Sequence, residues 1–180
     1  MTHFIMLLAD GFEEVEAITV IDLLRRAGLK LTTVALKKQD VNGAHNIIIR
    51  ADKTFKQLPS SFDGIILPGG SPGTSNLLES QQVISLVQEV YNRGLLCAAI
   101  CAAPTVFGKA GILKNVRATC YPGCEDQLTG ARYIEAAVVR DKNVVTSRGV
   151  GTAISFALEL ITLFAGEKTA ERVGTQILHS

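Results

Sequence analysis

Cys101 stands where a nucleophile would be useful. It closes the apolar run Leu95-Leu-Cys-Ala-Ala-Ile100 and is followed by Ala102-Ala-Pro104 and a helical segment. A side chain at a sharp strand-to-helix turn is lifted out of its sheet, as in a nucleophile elbow with Cys in place of Ser. The start of the helix behind it offers free N–H groups and positive potential, which favour thiolate over thiol. Ala98, Ala99, Ala102 and Ala103 are small enough to let the turn close. The competing reading is a buried core cysteine, because a free thiol behaves as a small hydrophobe. For Cys97, inside the same run, that second reading is preferred.

Glu13, Glu14 and Glu16 open a helix just after the first apolar run. Acidic residues in a first turn are favoured by the helix dipole, which accounts for Glu13 and Glu14 as solvated side chains. Glu16 differs, because it lies between Val15 and Ala17 in a segment whose apolar residues should be buried. A partly buried carboxyl has a raised pKa and, while protonated, can donate a hydrogen bond to a nearby thiolate. A third feature is the turn Leu67-Pro-Gly-Gly-Ser-Pro-Gly73. Glycines at a strand end let the backbone approach a ligand and point N–H groups at an oxyanion. The N–H groups of Gly70 and Ala102 are the expected oxyanion donors. The turn has neither the lysine of a phosphate loop nor dinucleotide-site spacing, and no cofactor is expected.

These residues need elements to position them. Apolar runs at residues 3–9, 31–36, 64–67 and 95–100 read as buried strands, with a further strand at Ile47-Ile48-Ile49 after the Asn42-Gly43 turn. Residues 13–27 carry Val15, Ile18, Ile21 and Leu24 at helical spacing and end at Gly28, a C-cap. Residues 80–92 form a second helix, with Val83, Leu86, Val87 and Val90 on one face, and another helical segment starts at Ala103. Strands are expected near 116–121, 133–139 and 144–147, the last two as a hairpin across Asp141-Lys142-Asn143, with helices at 152–165 and from Glu167 on. Apolar strands separated by helices imply a mostly parallel sheet covered on both faces. Sites in such sheets form outside the carboxyl ends of the strands, where the segments at 10–16, 68–73 and Cys101 converge.

Composition agrees with one α/β domain spanning residues 1–180. A chain of 180 residues buries about 70% of the surface its unfolded form exposes. Its 47% hydrophobic and 19% charged residues exclude a disordered chain, as does a mean hydropathy of +0.27. A net charge of +1 without a long basic run lacks the footprint of an obligate nucleic-acid binder. No apolar stretch reaches the length of a membrane span, and Met1-Thr2-His3 does not open a signal peptide, so a cytoplasmic protein is expected. The four cysteines are then read as reduced thiols. Cys97 and Cys101, like Cys120 and Cys124, lack C-x-x-C spacing, and only His3, His45 and His179 could add ligands, so no metal is expected.

Four motifs occur together: Gly11-Phe-Glu-Glu-Val-Glu16, Leu67-Pro-Gly-Gly70, Ala99-Ile-Cys-Ala-Ala-Pro104 and Thr146-Ser-Arg-Gly-Val-Gly-Thr152. With them the chain resembles the ThiJ/PfpI superfamily over nearly its whole length, nearest the branch of the Parkinson-associated protein DJ-one and the bacterial YajL proteins. The resemblance implies a flavodoxin-like α/β three-layer sandwich and a homodimer. It implies Cys101 as the reactive nucleophile and Glu16 as its hydrogen-bonding carboxyl. Glutathione-independent glyoxalase activity, deglycation of methylglyoxal adducts on proteins and nucleotides, and stress-linked chaperone behaviour are attributed to this family. Oxidation of the cysteine to a sulfinate is another family feature, and it fits an accessible, low-pKa thiolate.

The chain departs from that pattern at defined places. Tyr121 stands before Pro122 where the branch often has a histidine, so no Cys–His dyad is available there, although Tyr121 can donate a hydrogen bond. His45 stands where the branch commonly has an arginine, which weakens an anion site contributed by a partner subunit. Arg25-Arg26-Ala-Gly28 matches the family, with Arg26 at the position that usually faces the site. Arg26, Tyr121 and His45 are thus the candidate substrate or anion contacts. Ala102 replaces the histidine of the peptidase-like branch, and the late His-x-Glu pair of glutamine amidotransferases is absent.

Two functions compete. In the first, a cysteine-dependent, cofactor-independent enzyme acts on methylglyoxal-like oxoaldehydes or their early adducts. In the second, a redox-responsive sensor or chaperone uses Cys101 as the oxidised group and Glu16 as the hydrogen-bond partner of its sulfinate. A role in thiamine biosynthesis, suggested by naming in the superfamily, has no support in the residues.

Overall fold

β1 (His3–Leu8) is buried at every position after its first, because helices cover both of its faces. Phe4, Met6 and Leu8 point into one apolar layer, and Ile5 and Leu7 point into the other. The structure, a computed structural model, describes residues 2–179. After β1 come α1 (Glu14–Arg26), β2 (Lys30–Ala35), β3 (Asp40–Asn42), β4 (Ile48–Arg50), β5 (Lys53–Thr54) and β6 (Gly64–Leu67). Then follow α2 (Gly73–Glu79), α3 (Gln81–Asn92), β7 (Leu96–Ile100), α4 (Pro104–Ala110), β8 (Arg117–Ala118) and β9 (Arg132–Tyr133). The chain closes with β10 (Val138–Asp141), β11 (Val144–Ser147), α5 (Ala153–Ala165) and α6 (Glu167–Gln176).

Seven strands form one sheet in the order β10-β11-β7-β6-β1-β2-β5. Every neighbour pair is parallel except β10 with β11, the hairpin across Asp141-Lys142-Asn143. Helices α1, α5 and α6 pack on one face, and α2, α3 and α4 on the other. This is the flavodoxin-like three-layer sandwich. From β1 the chain winds one way to β2 by α1, and from β6 it winds the other way to β7 by α2 and α3. The winding therefore reverses between β1 and β6, where a doubly wound sheet opens a crevice at its carboxyl edge. Among the described residues no helix is long and apolar enough to cross a membrane.

Several elements differ from the sequence expectation for identifiable reasons. In α1 the buried residues are Glu14, Glu16, Ala17, Val20, Ile21, Leu23 and Leu24. Val15 and Ile18, expected on the buried stripe, are 49% and 44% exposed. The stripe is rotated toward Glu16, and α1 presents an apolar outer face. Helix α2 was not legible, because its sequence reads as the tail of a glycine–proline turn. The strand expected at 116–121 shortens to β8. Beyond it Thr119 N donates to Thr146 Oγ1 (2.9 Å) and Tyr121 N donates to Cys101 O (2.8 Å), so this backbone serves the site. The strand expected at 133–139 divides: β9 pairs with β8, and β10 pairs with β11.

Candidate active site

Three strand ends meet at the crevice. β7 delivers Cys101 in the left-handed region, at φ 64°. A non-glycine residue held there costs on the order of 1–3 kcal/mol and persists only when its surroundings fix it. They do so on both sides: Cys101 N donates to Ser147 O (3.0 Å), and Cys101 O accepts from Tyr121 N (2.8 Å). Strand β6 runs into Gly69 and Gly70, whose turn is clamped to the segment after β1. Glu13 N donates to Gly69 O (2.9 Å), and Gly73 N donates to Gly11 O (3.0 Å). Gly70 has φ +99°, and a Cβ there would lie 2.3 Å from Glu13 N and 2.4 Å from Gly11 O, so only glycine fits. A Cβ on Gly69 would lie 2.6 Å from Cys101 Cβ, 2.8 Å from Glu16 Oε2 and 3.0 Å from Cys101 Sγ. Gly69 thus keeps open the space in which carboxyl and sulfur meet.

Glu16 is fully buried in the first turn of α1. Its Oε2 accepts from Gly69 N (2.8 Å). Its Oε1 is buried with no hydrogen-bond partner and lies 4.0 Å from where a Cβ on Gly149 would stand, across the cavity. Burial raises the pKa of Glu16 to about 7, opposed by the Gly69 N–H and the Cys101 hydrogen bond and reinforced by the charge of Glu13. Burial likewise pushes the Cys101 thiol up to about 12, helped by the charge and hydrogen bond of Glu16. The amides of Ala102 and Gly70 pull the thiol the other way.

Burial and the neighbouring carboxyl therefore oppose the thiolate that the turn's amides favour. Helix α4 begins only at Pro104, and burial beside a carboxylate outweighs the two amides. Both groups are raised chiefly by burial, Glu16 raises the thiol further, and the two titrate as a pair. Above the pKa of Glu16 the pair carries one negative charge and one proton. A proton moving from sulfur to Glu16 creates a nucleophile without adding charge to the pocket.

Cys101 opens into a cavity of about 550 Å³ lined by Glu13, Glu16, Gly70, Tyr121, Pro122 and the segment 148–152. Tyr121 is 53% exposed at its rim. The wall at 148–152 is braced by Ser147 Oγ, which donates to Ala137 O (2.7 Å) and lies 2.7 Å from Thr152 Oγ1. Thr152 Oγ1 donates to Gly149 O (2.9 Å) and accepts from Gly149 N (3.1 Å). Arg148 Nη1 is held by Glu135 Oε1 at 2.7 Å.

The structure brings together Cys101, Glu16, Gly70, Ala102 and Tyr121, as the sequence led us to expect. It does not bring Arg26, which lies at the far end of α1, about 15 Å from Glu16 along the helix axis, and pairs with Asp22 at 2.7 Å. Nor does His45 line the cavity: its Nδ1 lies 2.9 Å from Oε2 of Glu14, behind the wall that Glu13 forms. The solvated reading of Glu14 is also corrected, since Glu14 is 4% exposed and accepts from the backbone N–H groups of His45 and Ile47. Sequence reasoning missed Arg148 and Thr152 as cavity residues. The available signal was a glycine-containing segment directly after a strand end, the same signal that singled out Gly70.

Protein dj-1beta of Drosophila melanogaster is 39% identical over 178 residues, covering 97% of this chain and 95% of that protein. Its crystal structure superposes with a TM-score of 0.95 at 37% identity, covering 99% and 98% of the two chains. The Caenorhabditis elegans protein named glutathione-independent glyoxalase DJR-1.2 is 38% identical over 169 residues, or 92% of this chain and 90% of its own. The pattern of the DJ-1/PfpI family matches residues 3–163. Likeness of sequence over nearly the full length, carried by a superposable backbone, leaves one assignment: the chain belongs to the DJ-1/PfpI family.

Proposed function

We propose that the protein is a cysteine-dependent, cofactor-independent glyoxalase- or deglycase-type enzyme acting on methylglyoxal-like oxoaldehydes or their early adducts on proteins and nucleotides. The observation that carries this reading is a sulfur faced by two backbone amides with a buried, incompletely partnered carboxyl beside it. The name of the nematode relative supports the same chemistry.

Cys101 Sγ attacks the aldehyde carbon of methylglyoxal while its proton passes to Glu16, giving a hemithioacetal. The amides of Gly70 and Ala102 hold the oxyanion. Glu16 hands that proton to the adduct oxygen, completing the hemithioacetal. As a carboxylate again, it takes the proton from the former aldehyde carbon and returns it to the neighbouring carbon, while the hydroxyl proton moves from the first oxygen to the second. The former ketone becomes the hydroxyl and the thiohemiacetal carbon becomes an acyl thioester. Water cleaves the thioester, freeing the thiol and a 2-hydroxy acid; overall, methylglyoxal plus water gives lactate. Tyr121, at the rim, is a hydrogen-bond donor to the bound substrate. Lactate formation without added cofactor, abolished in Cys101→Ala, is the expected result. A wild-type rate in Cys101→Ala contradicts the reading.

A second reading rests on the partnerless Oε1 of Glu16. Two equivalents of peroxide, each giving up one oxygen and leaving as water, convert the Cys101 thiolate to a sulfinate whose oxygens accept from the protonated Glu16. Intact mass after mild peroxide is expected to show two added oxygens, lost in Cys101→Ser. Retention of that addition in Cys101→Ser contradicts it.

We also propose a homodimer. Val15 and Ile18 on α1, and Ile47 and Ile48 in the β3–β4 hairpin, are all between 44% and 66% exposed. The hairpin is tied to the helix where Ile47 N donates to Glu14 Oε1 (3.4 Å). Exposed apolar side chains on two elements tied together in this way mark an interaction face.

A further inference from the structure

Behind the cavity wall, α1 and the β3–β4 hairpin bring together three groups able to hold a metal ion. His45 Nδ1 stands 2.9 Å from Glu14 Oε2 and 3.7 Å from Glu13 Oε2. Ligand atoms from these three side chains all lie within 4.8 Å of one another, the one such cluster of His, Cys, Asp and Glu among the described residues. Ligands about 2.1 Å from one ion are spaced about 3.0–3.4 Å apart, so only small rotations separate this arrangement from coordination.

The local charge independently calls for a cation. The side chain of Glu13 is 14% exposed and that of Glu14 is 5% exposed. Among the described residues, the imidazole of His45 is the one basic side chain in salt-bridge range of either carboxylate. Buried carboxylates are ordinarily paired or bound to a metal. The donors are also braced from outside: Glu14 Oε1 accepts from His45 N (2.6 Å) and Ile47 N (3.4 Å), leaving Oε2 turned toward the ring. Outer hydrogen bonds of this kind orient ligating carboxylates. The His45 side chain is 69% exposed, so coordination positions remain for water.

We propose that Glu13, Glu14 and His45 form a binding site for one divalent transition-metal ion of the zinc, nickel or copper kind, with water completing its shell. An imidazole nitrogen with two carboxylates suits these ions, whereas magnesium and calcium prefer oxygen alone. The site shares Glu13 with the wall of the Cys101 cavity but uses neither Cys101 nor Glu16 as a ligand, and it does not depend on the glyoxalase reading.

Isothermal titration of the full-length protein with Zn²⁺, and separately with Mg²⁺, tests this. The expected result is one Zn²⁺ per chain, no response to Mg²⁺, unchanged Zn²⁺ binding in Cys101→Ser, and binding weakened at least about ten-fold in His45→Ala. Glu13→Gln, which keeps the side-chain shape, is expected to weaken binding in the same way. Zn²⁺ binding that is absent from the wild type, unchanged in His45→Ala or lost in Cys101→Ser overturns the proposal.

Discussion

Burying a carboxyl beside a thiol costs stability, and in this protein Glu16 carries that cost. Its pKa is about 7 when folded, against 4.5 for a free glutamate. Between those values the folded state binds more protons than the unfolded chain, so stability is greatest at low pH and falls as pH rises through 7. The difference corresponds to about 3 kcal/mol. Urea unfolding between pH 5 and pH 8 is expected to show this loss in the wild type and a flattened slope in Glu16→Gln, which has no proton to lose. Equal slopes in the two proteins contradict it. Cys101 and Glu16 were legible in the sequence because each sits at a strand end or within an apolar stretch. The burial of Glu14 was not, because its partner His45 lies 31 residues away in a hairpin whose position depends on tertiary packing. Arg26 misled for a related reason: its motif identifies a helix end, not the direction in which that end faces.

At the scale of elements, the turn after β6 decides whether the site can form. It must approach the segment after β1 closely enough for Glu13 N to donate to Gly69 O, and Gly69 must leave room for Glu16 against Cys101. Gly69→Ala places a methyl 2.6 Å from Cys101 Cβ and 2.8 Å from Glu16 Oε2, where overpacking costs about 1–3 kcal/mol. The expected outcome is a lower thermal midpoint and loss of lactate formation with the sheet intact by circular dichroism; wild-type turnover contradicts it. The glycines announced this turn in the sequence. The shortening of the strand after α4 was hidden because its backbone at 119–121 bonds toward the site, and the division of the one before β11 because its two halves pair with different neighbours, β8 and β11. The rotated stripe of α1 was hidden too, since Val15 and Ile18 are as apolar as the residues that are buried.

For the whole molecule, the parallel doubly wound sheet places the ends of β1, β6, β7 and β11 on one edge, and the order of the strands makes neighbours of residues far apart in sequence. That architecture was legible from apolar strands alternating with helices; what covers its outer surfaces was not. The apolar face of Val15, Ile18, Ile47 and Ile48 is expected to bind a second copy. Ile18→Asp should then convert a dimer to a monomer by light scattering after gel filtration, and a wild-type monomer or an undisturbed variant dimer contradicts it. The central claim is a division of labour within the crevice, with sulfur forming the bond and Glu16 moving the proton. Its most direct test is Glu16→Gln mixed with methylglyoxal and followed by both intact mass and lactate. The expected result is an adduct of one methylglyoxal on Cys101, with lactate formation slowed at least about 100-fold. Lactate formed by Glu16→Gln at the wild-type rate would contradict it.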